Sequence, residues 1–600
     1  MSHPDDVPGT ILLWDESHHG NDLGHRGEVV LQPQPSADPE DPLNWSRRRK
    51  LVAISMTYLY VLGVGICTTV HYSVLTQIAE AQALTVSQLN LGTGLMFLFL
   101  GWGNLFWQPL ATTYGRRGVY LVSIILCIPP VLWTPFSHGP SQWYAHRIIL
   151  GFIAAPIESL PELSVPDLFF AHERGSYMAV YALMLFGSNF IAPFLAGFIL
   201  DGAGWHWVMY FAAIWVLFCS TILFFFMEET IYFRNTTETD VVAVDEKTGM
   251  AETTQEEVSF PPPRTYVQKL KLVLLLPGRP TPKQTLMKVW RTFKILYWFP
   301  NITWAGLLYG TNLAWYMVIN GTMSSILGGE PYNFAPAMVG TAYLSPLVAS
   351  SFASLWSGWF ADKIALRLAR RNKGIREPEH RLWALPLSAL MSTGGLIMWG
   401  VGASHDLHFM GLIFGIGFTT FGVVCGGAIA LAYTVDCFKE IAGESLIAVI
   451  LIRNTLGFAF GYAINPWIDS LGLQNCFISV SMISLFVTGT FLCMIVWGKR
   501  LRKFSAGRYW SVVGSDAEAE VNGLRHAPPP PPSLHILGAR GDVPRDSAGG
   551  SWGPPSIQSV QLHPQIITTF IIPSRIPTPV VCALSDQDLL DDRHRVMAVD

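Results

Sequence analysis

Long apolar segments separated by short polar ones fill the chain between residues 51 and 497. Each contains about twenty residues, the length of helix that crosses a hydrocarbon core about 30 Å thick. Six segments precede a long polar stretch and six follow it. The pattern therefore predicts an all-α membrane protein with twelve transmembrane helices, at residues 51–70, 89–109, 119–137, 142–164, 176–200, 205–227, 298–320, 338–361, 382–402, 408–433, 445–467 and 475–497.

The order of the segments divides the chain into five predicted regions. Two six-helix bundles flank a polar central loop, and a polar tail that is predicted to be disordered lies at each end. After about residue 512 the chain contains a run of five prolines and shows no hydrophobic periodicity, which predicts disorder. The regions are an N-terminal tail (1–50), a first bundle (51–227), the central loop (228–297), a second bundle (298–498) and a largely disordered C-terminal tail (499–600).

Charge agrees with a membrane protein and predicts its orientation. Only 14% of the residues are charged, against about a quarter in a typical soluble domain. Lys and Arg residues occur in alternate connections only, and such residues are retained on the cytoplasmic side. We therefore expect both termini and the central loop to be cytoplasmic, in a protein of the plasma membrane. The basic connections contain Arg47–Lys50, Arg116 and Arg117, Arg174, Lys363–Arg381, Lys439 and Lys499–Lys503.

Two short basic segments occupy equivalent positions in the two predicted bundles. One follows the second span and the other follows the eighth, and both are predicted to be tight turns. A plain interpretation is that their basic residues only anchor the orientation of the helices. Their repetition in both halves favours a second role, in switching between conformations, for Gly115, Arg116 and Arg117 in the first segment and Gly358, Asp362 and Lys363 in the second.

These segments resemble the loop signature G-x-x-x-D-R-x-G-R-R of the major facilitator superfamily. The resemblance implies two six-helix bundles around a central cavity. The second copy has the acidic residue, as Asp362, whereas the first has Thr112 in its place and Thr113 at the first arginine. In the first copy the role of the acid is then weakened or taken by another residue.

The predicted fourth span carries charged residues along one stripe. At about 100° per residue, its arginine and two glutamates share one side of the helix. Charge facing lipid is costly, so this side is expected to face protein or water. A carboxylate in a half-dry cavity can exchange protons, and Glu158 is the first candidate for that role and Glu162 the second. The alternative is a structural salt bridge from Glu158 to another span, such as to Arg453. The stripe consists of Arg147, Gly151, Ala154, Glu158 and Glu162, and it resembles the superfamily's fourth-span motif with a buried arginine.

Two further spans carry candidate residues of the transport pathway. Asn189 and Pro193 lie on one side of the fifth span, which resembles the fifth-span motif of drug:proton antiporters with two glycines replaced by alanine. Arg453 and Asn454 lie in the eleventh. The phrase that begins at Asn465-Pro-Trp resembles fungal members of the drug-efflux and polyamine-transporter groups, and exporters and uptake carriers share it.

Motif searches limit the function. The chain lacks G-x-x-x-x-G-K-[ST] and HExxH, and its one GxSxG match, at residues 549–553, lies in the C-terminal tail predicted to be disordered. Neither nucleotide hydrolysis nor these enzyme classes is therefore indicated, and transport would use an ion gradient, most simply of protons. No cofactor, metal or nucleic acid is expected, and a monomer would suffice. The leading hypothesis is a proton-coupled exporter of small organic compounds. An uptake carrier for polyamines or similar cations and a membrane nutrient sensor are the alternatives.

Overall fold

The computed structural model describes residues 7–12, 36, 38, 40–232, 265–272 and 281–525. Nearly all of this part of the chain is helical. The helices before the central loop are α1 (Arg47–Thr69), α2 (Leu75–Gln82), α3 (Val86–Tyr114), α4 (Arg116–Leu126), α5 (Ile128–Trp133), α6 (Gly139–Ala154), α7 (Pro156–Leu168), α8 (Ala171–Ala203) and α9 (Trp205–Phe226).

The remaining helices belong to the central loop and to the second half of the chain. Two of them, α10 and α11, lie in the central loop that the sequence predicted only as a polar connection. The series is α10 (Tyr266–Lys269), α11 (Pro282–Trp298), α12 (Pro300–Gly328), α13 (Pro336–Ala342), α14 (Leu344–Leu355), α15 (Ala361–Arg371), α16 (Leu385–Ser404), α17 (Phe409–Cys437), α18 (Ala442–Gly489) and α19 (Phe491–Arg525).

Every predicted span coincides with a helical segment, so the all-α membrane fold is confirmed. Among the described residues, ten segments are long and apolar enough to cross a membrane. The long segment Ala442–Ser515 accounts for two predicted spans, because Gly472, with φ of 76°, interrupts α18. Helix α12 is outside the ten, since polar residues such as Asn312 and Asn320 lower its hydropathy, but it has 29 residues and is mostly buried.

Proline sets the breaks within two of the spans. The third span divides at Cys127, just before Pro129 and Pro130, and the fourth divides at Ala155, just before Pro156. Proline lacks an amide proton and its ring clashes with the preceding turn, so it interrupts the helical hydrogen bonds. The break in the fourth span places Glu158 in the first turn of α7.

The two halves pack closely against each other through small residues. A Cβ atom on Gly101 of α3 would lie 2.6 Å from Cβ of Asn454 in α18. A Cβ atom on Gly197 of α8 would lie 2.6 Å from the carbonyl oxygen of Pro336 and 3.1 Å from Cα of Gly340, both in α13. Glycine therefore allows the helices of the two halves to approach at two separate places.

Parts of both predicted disordered tails are ordered. Strand β1 (Ile11–Leu12) pairs in antiparallel fashion with β2 (Ile375–Arg376), and the Arg502 guanidinium donates to the carbonyl oxygen of Pro8. Helix α19 extends to Arg525, past the boundary predicted near residue 512, because Tyr509 and Val512 pack into the core of the second half. The rest of both tails lies outside the described residues, where disorder stays a prediction.

Candidate functional site

Glu158 contacts two residues of the opposite half. The Arg453 guanidinium donates to Oε1 of Glu158, and Nδ2 of Asn454 donates to Oε2 at 2.8 Å. Arg453 also donates to the hydroxyl of Tyr309 at 3.0 Å. The side chains of Glu158 and Arg453 are only 7% and 5% exposed, so the pair is shielded from solvent. The salt bridge considered as the alternative role of Glu158 is therefore present, and it joins the two halves.

Local structure explains how this contact forms. Glu158 lies in the first turn of α7, where the helix dipole favours a negative charge. Gly101 leaves room for Asn454, and Gly310 allows α12 to approach Cα of Arg453, since a Cβ there would lie 3.1 Å from that atom. Sequence patterns did not predict a role for Tyr309 or for these two glycines, because nothing in the local sequence marks residues that serve a distant partner.

Glu162 lies one turn further along α7 and has a different environment. The residue is 8% exposed, and among the described residues its Oε2 atom has no hydrogen-bond partner. A buried carboxylate oxygen without a donor is energetically unfavourable. This oxygen is thus available to a proton or to a cationic ligand.

Arg147 is not part of the Glu158 cluster. Eleven residues separate the two along the span, or about 16 Å at the helical rise. The Arg147 guanidinium lies over the Trp143 ring, 4.3 Å from its centroid, and its Nε and Nη2 atoms have no hydrogen-bond partner within the described part of the chain. The rings of His71 and His146, both fully buried, lie against the same tryptophan. Arg147 is therefore a buried cation held by an aromatic ring.

Asn189 and Pro193 lie on the side of α8 that packs against the second half. Nδ2 of Asn189 donates to the Leu185 carbonyl in the same helix at 3.1 Å. The carbonyl oxygen of Pro193 would be 3.2 Å from a Cβ on Gly340. Neither residue is in the Glu158 contact, and Pro193 belongs to the α8–α13 packing.

A small cavity lies beside this packing. In this arrangement it has room for about one water molecule, and its lining includes Phe190, which follows Asn189 in the chain. Its only polar side chains are threonine, tyrosine and asparagine, and Oδ1 of Asn320 has no partner among the residues described. Aromatic walls and a few polar atoms are typical of sites for small organic molecules, so this cavity could serve as one only after the surrounding helices move apart. Its lining is Phe190, Tyr316, Ile319, Asn320, Met323, Tyr343, Pro346, Ile416, Thr419, Thr420 and Val423.

The first basic segment is a tight turn, as predicted. Gly115, with φ of 110°, separates α3 from α4. The Glu229 carboxylate accepts from the amides of Arg116 and Arg117, at 2.9 and 3.1 Å, and so caps α4. Arg117 donates to the carbonyl oxygens of Met227 and Phe224, at 2.6 and 2.7 Å, at the end of α9. An acid is therefore present at this turn, but it comes from Glu229 and not from position 112.

The second basic segment is not a turn, and that prediction was wrong. Gly358 lies in a π-helical stretch, Trp356–Phe360, and α15 continues to Arg371. Ala365 occupies the position that corresponds to Gly115, and alanine favours the helix that glycine ends. The turn comes later, at Lys373 and Gly374, which both have positive φ.

Charged contacts nevertheless surround the second segment. Arg381 donates to the Asp362 carboxylate and lies 3.4 Å from that of Asp436, at the end of α17. Nζ of Lys363 lies 3.3 Å from the centroid of the Trp359 ring. Arg116 pairs with Asp167, at the end of α7, in the same way. In each half, an ion pair thus joins the start of the third span to the end of the fourth span.

The chain is similar in sequence to known proteins over most of its length. The sequence model of the Major Facilitator Superfamily matches residues 57–461. The chain is 29% identical over 553 residues to an uncharacterized MFS-type transporter of Schizosaccharomyces pombe, with 84% of this chain and 94% of that protein covered. It is 26% identical over 572 residues to Protein HOL1 of Saccharomyces cerevisiae, covering 84% and 97%. It is 27% identical over 475 residues to MFS transporter fsa7 of a Fusarium species, covering 78% and 87%.

Proposed function

Because this chain belongs to the Major Facilitator Superfamily and is a multi-pass membrane protein, we propose that it exports small organic compounds in exchange for protons. The observation that carries the proposal is the buried contact of Glu158 with Arg453 and Asn454 across the two halves. The membrane is the plasma membrane, and both termini are cytoplasmic.

Protonation of Glu158 is the step that couples the two movements. The ionised carboxylate holds the Arg453 guanidinium and the Asn454 amide of α18. A proton on Glu158 cancels its charge and leaves Arg453 as a buried cation without a counter-ion, which is strongly unfavourable. The two halves then separate around this point, water reaches Arg453, and the opposite side of the membrane gains access to the centre.

Substrate binds in the cavity that contains Tyr316 and Asn320, which widens when the two halves separate. Both lie on α12, and Tyr309 on the same helix contacts Arg453. Aromatic rings provide apolar contact area, and the free Oδ1 of Asn320 accepts a hydrogen bond from the ligand. Because one helix holds both the cavity wall and the partner of Arg453, substrate occupancy and the state of Glu158 influence each other.

One observation favours a second function, uptake of an organic cation such as a polyamine. The buried Oε2 atom of Glu162 has no hydrogen-bond donor in the described residues, so an ammonium group would supply the missing partner. Glu158 and Tyr309 lie close by, since Glu158 is one turn away and Arg453 contacts both. An inward proton gradient drives the substrate into the cell in uptake and out of the cell in export.

Proteoliposomes with a trapped pH-sensitive dye test the proposal, because proton movement reports the transport of any coupled compound. A panel of neutral organic compounds, organic cations and polyamines is added to each side in turn. Exchange predicts that at least one compound causes proton movement opposite to its own, and that Glu158→Gln removes the response. Proton movement in the same direction as a polyamine would support uptake instead. Compound flux that is independent of pH in the unmodified protein would refute proton coupling.

A further inference from the structure

Helix α11, which precedes α12, exposes a stripe of large apolar and basic side chains. At 100° per residue these side chains fall within about 100° of the helix circumference. Leu286, Trp290 and Tyr297 are 70%, 63% and 83% exposed. Such exposure is unfavourable in water for so many large apolar groups on one face. The full stripe consists of Lys283, Leu286, Met287, Trp290, Lys294 and Tyr297.

The opposite side of α11 is firmly attached to the transporter. Thr292 and Ile295 are buried, and the hydroxyl of Thr285 lies 3.1 Å from that of Thr113, near the end of α3. Arg291 forms an ion pair with Glu444, in the first turn of α18. The exposed stripe is therefore the free face of a docked helix, at the ends of the spans predicted to be cytoplasmic.

The apolar edge of the stripe continues onto a surface that faces lipid. The ring of Phe293 lies 6.2 Å from that of Trp290 and 6.3 Å from that of Trp102 in α3. Trp102 and Phe106 are 45% and 54% exposed on a helix that is long and apolar enough to cross the membrane. Large apolar side chains exposed on such a helix are typical of a surface that faces lipid. Around the helix, Leu286, Tyr297 and Trp290 lie nearest to Phe293, and the two lysines follow next to Trp290, toward the middle of the stripe.

We propose that α11 lies in the inner leaflet and binds the headgroups of anionic phospholipids. Trp290 and Tyr297 suit the boundary between acyl chains and headgroups, and Leu286 adds apolar area below it. Lysine side chains extend from such a helix toward the headgroups, where each contributes attraction to an anionic surface. Two lysines beside an apolar edge that adjoins the bilayer match this partner better than a protein surface.

Arg291 links lipid binding at α11 to the contact between Glu158 and Arg453. The ion pair with Glu444 fixes the start of α18, and Arg453 lies nine positions further along the same helix. A headgroup that holds α11 against the membrane therefore also restrains the helix that carries the partner of Glu158.

Hydrogen–deuterium exchange of the full chain in nanodiscs tests the proposal and needs no transport assay. Discs contain phosphatidylcholine alone or phosphatidylcholine with phosphatidylserine at about 7:3. We expect phosphatidylserine to slow exchange in residues 283–298 by roughly fivefold or more, the effect of one lysine at an anionic surface. In K283Q/K294Q this lipid effect is lost. The matched control K373Q/K503Q removes the same charge elsewhere on the predicted cytoplasmic side and keeps the effect.

A second variant separates lipid contact from loss of folding. Leu286→Ser with Trp290→Ser should speed exchange in residues 283–298 in both kinds of disc, while α17 stays as protected as in the unmodified protein. Equal exchange of α11 in the two lipid mixtures would overturn the proposal, as would an undiminished phosphatidylserine effect in K283Q/K294Q. Protection of α11 only by a protein added from a cell extract would identify a protein surface instead.

Discussion

Arg453 and Glu158 are 295 positions apart in the chain, yet their charged groups are in contact across the boundary between the two halves. Asn454 occupies the second carboxylate oxygen and Tyr309 the second amino group of the guanidinium. Each charge thus has a partner in the buried interior, which is the condition under which a buried ion pair is tolerated. A proton on Glu158 would remove the charge that the Arg453 guanidinium pairs with.

Glu158→Gln keeps the shape of the side chain but removes its titration. We expect the variant to lose uphill, pH-driven flux by roughly tenfold or more while it retains downhill exchange of the same substrate, because only the coupling step needs the proton. Flux from loaded vesicles at several imposed pH gradients measures this. A gradient response equal to that of the unmodified protein would place the proton site elsewhere, with Glu162→Gln the next variant.

Arg147→Ala is expected to abolish transport while the protein still reaches its membrane. A buried guanidinium over Trp143, without an acidic partner among the described residues, is too unfavourable to be retained for packing alone. Arg147→Lys should also fail, because an ammonium lacks the planar surface that stacks on the ring. Exposed Arg500→Ala is the control. Near-normal flux in Arg147→Ala would assign the residue a structural role only.

The two glycines at the α8–α13 contact are expected to limit substitution. Gly197→Val places side-chain atoms against the Pro336 carbonyl. It should destabilise the packing of α8 against α13 by about 1–3 kcal/mol. Thermal unfolding in detergent and substrate flux measure the loss. Gly202→Ala lies on the same helix with nothing within 4 Å of the added atom, so it should change neither. Equal melting temperatures for Gly197→Val and Gly202→Ala would contradict the observed packing.

Arg502 is expected to stabilise the second half strongly. It donates to both carboxylate oxygens of Glu379, at 2.9 and 2.6 Å, and its side chain is 0% exposed. Arg502→Ala leaves Glu379 buried and unpaired, which costs about 3–5 kcal/mol. Lys499→Ala is the comparison, because that lysine is 53% exposed in its pair with Glu377 and should cost less than about 1 kcal/mol. Chemical denaturation of both variants would show whether burial makes this difference.

Orientation is tested by labelling single cysteines. We expect a cysteine at Lys373, in the β2 connection between α15 and α16, to react with a membrane-impermeant maleimide only after the cell is permeabilised. The reason is that this connection contains seven Lys and Arg residues between positions 363 and 381. Labelling of intact cells at this position would reverse the predicted orientation.

The sequence by itself determined the positions of the membrane-spanning helices. A span needs about twenty apolar residues wherever the rest of the chain lies, so its position is a local property. The same holds for the turn at Gly115, which glycine permits. Local chemistry also shows why the second segment is not a turn, since Ala365 stands where a glycine would be needed. The predicted turn was wrong because it needs glycine at this position, whereas alanine continues the helix.

Only the tertiary structure decided which charges meet. The sequence placed Glu158, Arg147 and Arg453 inside spans, but pairing depends on how helices from distant parts of the chain approach and rotate. Gly101 and Gly310 bring α18 within reach of α7 and α12, and no local pattern announces that effect. For the same reason, the sequence did not predict that Glu229 caps α4 or that one face of α11 is exposed. Hydrophobic length is read along one helix, whereas a buried charge is satisfied only by the particular neighbours that packing provides.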